Sequence, residues 1–221
     1  MSVIISVPDH ILYEDEYILV INKPASLMVE PDRNGYPNLL QQVQKHIKSS
    51  LPNGEKVYAQ HLHRLDRPVS GIVLFARKRA VLKNLSEQFA ERRVKKLYQA
   101  LTDHSPQQNK GTLQNWLRKE KKKATIYDQE IEYAEKVILD YEVTPLSEKY
   151  FLWKIELHTG KYHQIRAQLA HINCPIIGDL EYGSTLPYKP NCIALHACQL
   201  IFFHPISNET ICIEKQAEFQ L

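Results

Sequence analysis

Cysteine is scarce and without pattern. Cys174, Cys192, Cys198 and Cys212 are the only four in 221 residues, and they form no C-x-x-C pair and no metal-ligand rhythm. That speaks against a disulfide framework or a thiolate metal centre and for reduced thiols in a cytosolic protein, most of them small apolar fillers. Long apolar runs are missing too, so nothing approaches the roughly 20 residues of a membrane helix. Met1–Ser6 carries no basic segment and Pro8-Asp9-His10 interrupts its apolar character, so no signal peptide is expected. Internal repeats and low-complexity tracts are absent. A dominant charge is absent as well: 28 Lys+Arg face 25 Asp+Glu, a net +3, too mild to identify a nucleic-acid partner.

What is present is ordinary for a globular chain, with 43% hydrophobic and 24% charged residues. A chain of this length buries roughly 70% of its unfolded surface, enough for one substantial core or a core with two lobes. The positive charge is clustered, at Arg92, Arg93, Lys95 and Lys96 and again at Arg118, Lys119, Lys121, Lys122 and Lys123. Each cluster reads either as local positive surface for phosphates or as a solvated face.

The apolar pattern predicts strands at 11–13 and 17–21 around Glu14-Asp15-Glu16, closed by a turn at Asn22-Lys23-Pro24-Ala25. Leu39, Leu40, Val43 and Ile47 recur at helical spacing with Asn38 near the N-cap, and Ser49–Gly54 reads as a turn-rich end. A strand over 71–77 precedes a helix defined by Val81, Leu82, Leu85 and Phe89. A further strand is expected over 94–101. Residues 102–135 read as a hairpin or a mobile basic loop. Phe151, Trp153, Ile155 and Leu157 alternate with polar neighbours as in a half-buried antiparallel strand, with 137–143 as its partner. His158-Thr159-Gly160-Lys161 then turns into a helix whose inward face is Ile165, Leu169 and Ile172, with Arg166 on its flank.

One stretch organises the rest: His61-Leu62-His63-Arg64-Leu65-Asp66-Arg67-Pro68-Val69-Ser70-Gly71, leading into Ile72-Val73-Leu74-Phe75. A single carboxylate, Asp66, stands between two arginines just before a buried strand, the layout of an active site. Pro68 fixes its own φ and biases Arg67 toward an extended conformation, while Gly71 permits a left-handed turn. His61-x-His63 with Asp66 also suggests a metallohydrolase, although the spacing is wrong for the usual H-x-H-x-D-H string. A third reading is an RNA-binding module without catalysis.

The string from His63 to Gly71 resembles the HRLDxxTSG signature of the RluA-type pseudouridine synthases, with Val69 where many members carry Thr. Four more blocks resemble that family in the same order: "ILVINKPASLMVEP", Lys96-x-Tyr98-x-Ala100, "HTGKYHQIRAQLAHINCPIIGDLEYG" and "LHACQLIFFHP". Lys161 stands where Arg is common, which keeps the charge and loses bidentate geometry. The resemblance implies an α+β pseudouridine synthase fold, a mostly antiparallel central sheet in two lobes flanked by helices, with an RNA cleft between them. It implies a single catalytic domain over residues 1–221, and since the first family block begins by about residue 11, no N-terminal S4 domain. It makes Asp66 the catalytic residue, with Arg166 as its ionic partner and Tyr98 against the target base. Arg64 would fill the gap left by a flipped uridine, and His63, Lys23, Lys161, His163 and Gln164 would contact RNA.

The chemistry agrees with the isomerase. Breaking a nucleoside C–N bond builds oxocarbenium character on the ribose, which an ionised carboxylate beneath C1′ relieves as nucleophile or electrostatic stabiliser. A hydrolase adds a second carboxylate or a metal to activate water, whereas an isomerase keeps water out. Uridine in folded RNA must leave its stack to reach such a site, at a cost of about a few kcal/mol. The expected partner is therefore ribosomal or transfer RNA, met in the cytoplasm by a monomer that needs no cofactor, no metal, no membrane and no obligate protein partner.

Overall fold

A computed structural model describes residues 3–33, 35–52 and 56–220. The turn expected at Asn53-Gly54 lies outside the described residues, as do Met1 and Ser2 of the N-terminal segment. The chain divides into two compact units, residues 1–94 with 199–215, and residues 95–198 with 216–221.

The first unit is built on two strands that are buried almost throughout. Strand β1 (Ile11–Glu14) pairs antiparallel with β2 (Ile18–Lys23), which pairs antiparallel with β4 (Ser70–Ala76), while the two-residue β3 (Gln60–His61) adds to β4. Ile18 to Ile21 and Ile72 to Ala76 have almost no exposed surface, which accounts for their unbroken apolar sequence. Residues 199–203 of β10 (Leu195–Phe203) pair antiparallel with β11 (Thr210–Glu214). Leu200, Phe202 and Ile213 join Ile18, Val20, Ile72 and Leu74 in one cluster with Val81 and Leu85 of helix α2 (Arg79–Ala90). Helix α1 (Leu39–Ser50) buries Leu39, Val43 and Ile47, and the Asn38 side chain accepts the Gln41 N–H at 3.0 Å as its N-cap. Asp15 explains why an acidic run interrupts the first two strands. Its carboxylate accepts the N–H groups of Tyr17 and Ile18 at 2.7 and 2.8 Å and meets Tyr13 and His204.

The second unit is a meander in the order β5-β9-β8-β6-β7, antiparallel throughout: β5 (Lys95–Thr102), β6 (Lys110–Glu120), β7 (Lys123–Tyr127), β8 (Glu135–Pro145) and β9 (Phe151–Leu157). Of the two forms expected for residues 102–135, hairpin or mobile loop, the chain adopts the ordered hairpin. Helix α3 (Gln164–His171) packs Ala167 onto Leu117, Ala124, Ile126 and Val137. It is not the amphipathic helix that its spacing predicts. Gln164 through Leu169 are all buried, so Arg166, expected on a flank, is enclosed with 4% of its surface exposed. The cysteines split: Cys174 and Cys198 are buried, Cys192 is intermediate and Cys212 exposed, and none of the four is in a disulfide. Among the described residues no helix is long and apolar enough to cross a membrane.

Candidate active site

Asp66 sits in the loop between β3 and β4, where a turn is closed by the Val69 N–H donating to the Asp66 carbonyl at 3.0 Å. Val69 is 2% exposed, so the methyl group that stands in place of a threonine hydroxyl is used in packing. Gly71 follows at φ +125°, a backbone region closed to most side chains, and lies opposite Lys23 in the β2–β4 register. That register brings the Asn22-Lys23-Pro24 turn beside the Asp66 loop, although the two blocks are about 40 residues apart in sequence.

Three side chains of the loop hold it to the segment after that turn. The Arg67 Nε donates to the Ser26 carbonyl at 3.3 Å, Arg64 pairs with Glu30, and His61 Nε2 lies 3.4 Å from the same carboxylate. His63 points the other way. Its Nε2 accepts the Leu74 N–H at 3.2 Å and its ring stacks on Phe89, 5.2 Å between centroids. The two histidines of His61-x-His63 therefore serve different neighbours, and no group of three His, Cys, Asp or Glu among the described residues is placed to hold a metal ion. Burial lowers the pKa of His61, as does Arg64, while Glu30 opposes the shift. Lys23 is fully buried, and its ammonium donates to the carbonyls of Pro24 and Leu27 at 3.0 and 2.7 Å. Arg64 and Arg67 are exposed, and Asp66 is half-buried.

The second unit carries the other motif residues. Tyr98, 7% exposed, lies on β5 opposite Ile155 of β9. Arg166 is gripped from one side by a fork: Nε and Nη2 donate to the two carboxylate oxygens of Asp179 at 2.7 and 2.8 Å, and Nη2 also donates to Glu181 at 2.9 Å. Such a bidentate pair fixes the guanidinium plane as a lysine would not. The Tyr182 ring lies 4.9 Å from the guanidinium carbon, a cation–π contact.

His163 precedes α3 in a left-handed conformation, φ +53°, and its ring stacks on Tyr162 at 3.8 Å between centroids. Burial, helped by the nearby Arg166 charge, lowers its pKa to about 4. The Tyr182 hydroxyl accepts the Ala124 N–H at 2.8 Å and lies 3.0 Å from His163 Nδ1. Burial pushes that phenol up to about 12.

Gln164 is buried and accepts from the Thr159 hydroxyl at 2.9 Å and the Lys161 N–H at 3.2 Å, tying the turn before α3 to the helix. Its amide nitrogen donates to Gln168. Lys161 pairs with Glu135. Sequence reasoning passed over Glu30, Asp179, Glu181 and Tyr182. Three of them stand in the Gly178-Asp179-Leu180-Glu181-Tyr182-Gly183 tail, and their signal was there: two acids shortly after a buried arginine.

Comparison with known proteins assigns this arrangement to a family. The model of the RNA pseudouridylate synthase family matches residues 17–171. An uncharacterized RNA pseudouridine synthase of Aquifex aeolicus is 32% identical over 95% of this chain and 69% of its own length. The tRNA pseudouridine synthase C of Haemophilus influenzae is 32% identical, over 92% of this chain and 90% of the relative. The ribosomal large subunit pseudouridine synthase C of Buchnera aphidicola is also 32% identical, over 95% and 67%. In three dimensions, human RNA pseudouridylate synthase domain containing 4 shares the fold with a TM-score of 0.78 at 22% identity, covering 96% of this chain and 89% of that one. With the family model spanning most of its length and the motif helices and strands in place, the chain belongs to the RNA pseudouridylate synthase family.

Proposed function

We propose that this chain isomerises uridine in transfer or ribosomal RNA, with Asp66, Tyr98 and Arg166 as the catalytic residues. Asp66 stabilises the ribose as the C1′–N1 bond breaks and its electron pair leaves with the uracil. The freed base turns, C5 bonds to C1′, the C5 proton is released and N1 takes up a proton. Tyr98 lies against the base and Arg166 holds charge at the reaction. Arg64, His63, Lys23, Lys161, His163 and Gln164 form the RNA-binding set. The enzyme works in the cytoplasm, as a monomer without an obligate protein partner.

The observation that carries this reading is the Asp66 loop itself: one carboxylate in a stiff turn, braced to the neighbouring turn by Arg67 and Arg64, at the mouth of a buried strand. A water-activating hydrolase would need a second acid there, and the loop offers none. Transfer and ribosomal RNA are tested side by side, because the relatives named for each are both 32% identical to this chain.

The experiment is tritium release from [5-³H]uridine-labelled RNA, with transfer and ribosomal pools assayed separately. Wild type releases tritium from one pool, and Asp66→Ala releases none while its circular dichroism and urea midpoint stay close to wild type. Release by a folded Asp66→Ala protein, or none by wild type from either pool, overturns the proposal.

A further inference from the structure

We propose that the β6–β7 hairpin tip, Lys119 to Lys123, is a preformed edge that binds RNA phosphates. The inference rests on the pseudouridine synthase reading and adds a docking surface to it. Register pairs Glu120 with Lys123, leaving Lys121-Lys122 as a two-residue loop. Lys121 adopts φ +54° there, a conformation for which turns of this kind favour glycine or asparagine. Lysine accepts that strain in the two-residue loop of the hairpin, which fits a charge placed for a purpose.

The charges are available. Lys119, Lys121, Lys122 and Lys123 are all exposed, and among the described residues none of the four has a carboxylate within ion-pair distance. The acid of the tip is already used: Glu120 bonds Arg118, Tyr127 and Thr125, which pull its pKa down to about 2. Elsewhere in the molecule cations such as Arg77, Lys78, Arg93 and Lys161 meet acids.

The tip is also fixed, and by the residues that surround Arg166. The Tyr162 hydroxyl donates to the Lys122 carbonyl at 2.9 Å, and the Ala124 N–H donates to the Tyr182 hydroxyl at 2.8 Å. Lys119 and Lys123 lie over the rings of these same tyrosines, at 4.3 and 5.6 Å from their centroids. Tyr162 stacks on His163 and Tyr182 packs against Arg166. The basic edge is therefore held in a set place relative to the Arg166 helix rather than left as a floppy arm, and ordering it costs RNA binding little entropy.

The test uses the full chain and the RNA pool that wild type modifies, or total transfer RNA if it modifies neither. Lys121→Gln/Lys122→Gln and the fourfold Lys119→Gln/Lys121→Gln/Lys122→Gln/Lys123→Gln variant are compared with the matching Lys→Arg set. For the fourfold Gln variant the slope of log affinity against log salt becomes shallower by roughly 0.7 for each phosphate no longer neutralised. KM rises about tenfold or more near physiological salt, kcat at saturating RNA stays within about twofold, and the Arg set restores the wild-type slope and KM. An unchanged slope and KM in the fourfold variant overturns the inference even if wild type is an active synthase. If wild type releases no tritium, the enzyme reading fails while the salt slope still decides whether the edge binds RNA. Should the fourfold variant lose its fold, the exposed pair Lys121→Gln/Lys122→Gln decides alone, with about half the slope change.

Discussion

Lys23 and His163 show what burial does to groups that a motif marks as polar contacts. The ammonium of Lys23 is fully buried and bonded to two carbonyls of its own turn, and hydrogen bonds to a charged group are worth about 1.5–3 kcal/mol each. Lys23→Met keeps the packing and orphans those carbonyls, so urea denaturation is expected to show a loss of roughly 2–4 kcal/mol. RNA affinity is expected to weaken alongside the unfolding midpoint, because Lys23 also belongs to the proposed RNA-binding set. His163 is held neutral by burial, with a pKa of about 4 in the fold against an ordinary 6.5. Between these values the unfolded chain binds a proton that the folded chain refuses, so stability is full above about pH 6.5 and falls as pH drops toward 4. The stake is roughly 3 kcal/mol. His163→Gln, which can still hydrogen-bond Tyr182, removes that component. Urea unfolding at pH 7 and at pH 5 is therefore expected to differ less for the variant than for wild type.

Elements came out of the sequence unevenly, for physical reasons. The amphipathic helices α1 and α2 were legible because one face meets a core and the other meets water, which leaves a 3.6-residue period. Helix α3 was legible as a helix but not in its faces, because Gln164 through Leu169 are all buried and the polar residues Gln164, Arg166 and Gln168 are satisfied within the protein. Burial of that kind depends on partners far along the chain. The turn after α3 carries the strictest demand. Gly178 has φ +86°, and a Cβ there would lie 2.5 Å from the Tyr188 Cβ and 2.9 Å from the Cys192 carbonyl. Gly178→Ala is expected to cost roughly 3 kcal/mol. It should also disturb Asp179, the next residue and the grip on Arg166, so thermal unfolding and activity decline together.

At the scale of the whole molecule, the chain's path matters more than its length. Residues 1–94 form most of the first unit, yet 199–215 return to complete it. Leu200, Phe202 and Ile213 then cover the strand residues Ile18, Val20, Ile72 and Leu74. A fragment of residues 1–94 lacks that cover, and is expected to show no cooperative unfolding transition in urea, followed by circular dichroism, whereas the full chain does. A cooperative fragment would mean that β10 and β11 add little to the core. The tail repeats the pattern in the second unit, where Gln216 and Ala217 bond to the Gln99 side chain at 2.8 and 2.9 Å.

The sequence by itself determined the motif residues, most of the strands and helices, and the family, because apolar period and short signatures are local properties carried by neighbouring residues. It marked Asp66, Tyr98 and Arg166 without showing what surrounds them. Only the tertiary structure decided that Asp179 and Glu181 grip Arg166, that Glu30 takes Arg64 and His61, and that Tyr162 and Tyr182 fasten the lysine loop. Those partners lie from 13 to 58 residues apart along the chain, and charge complementarity at such separations leaves no period for a sequence to display.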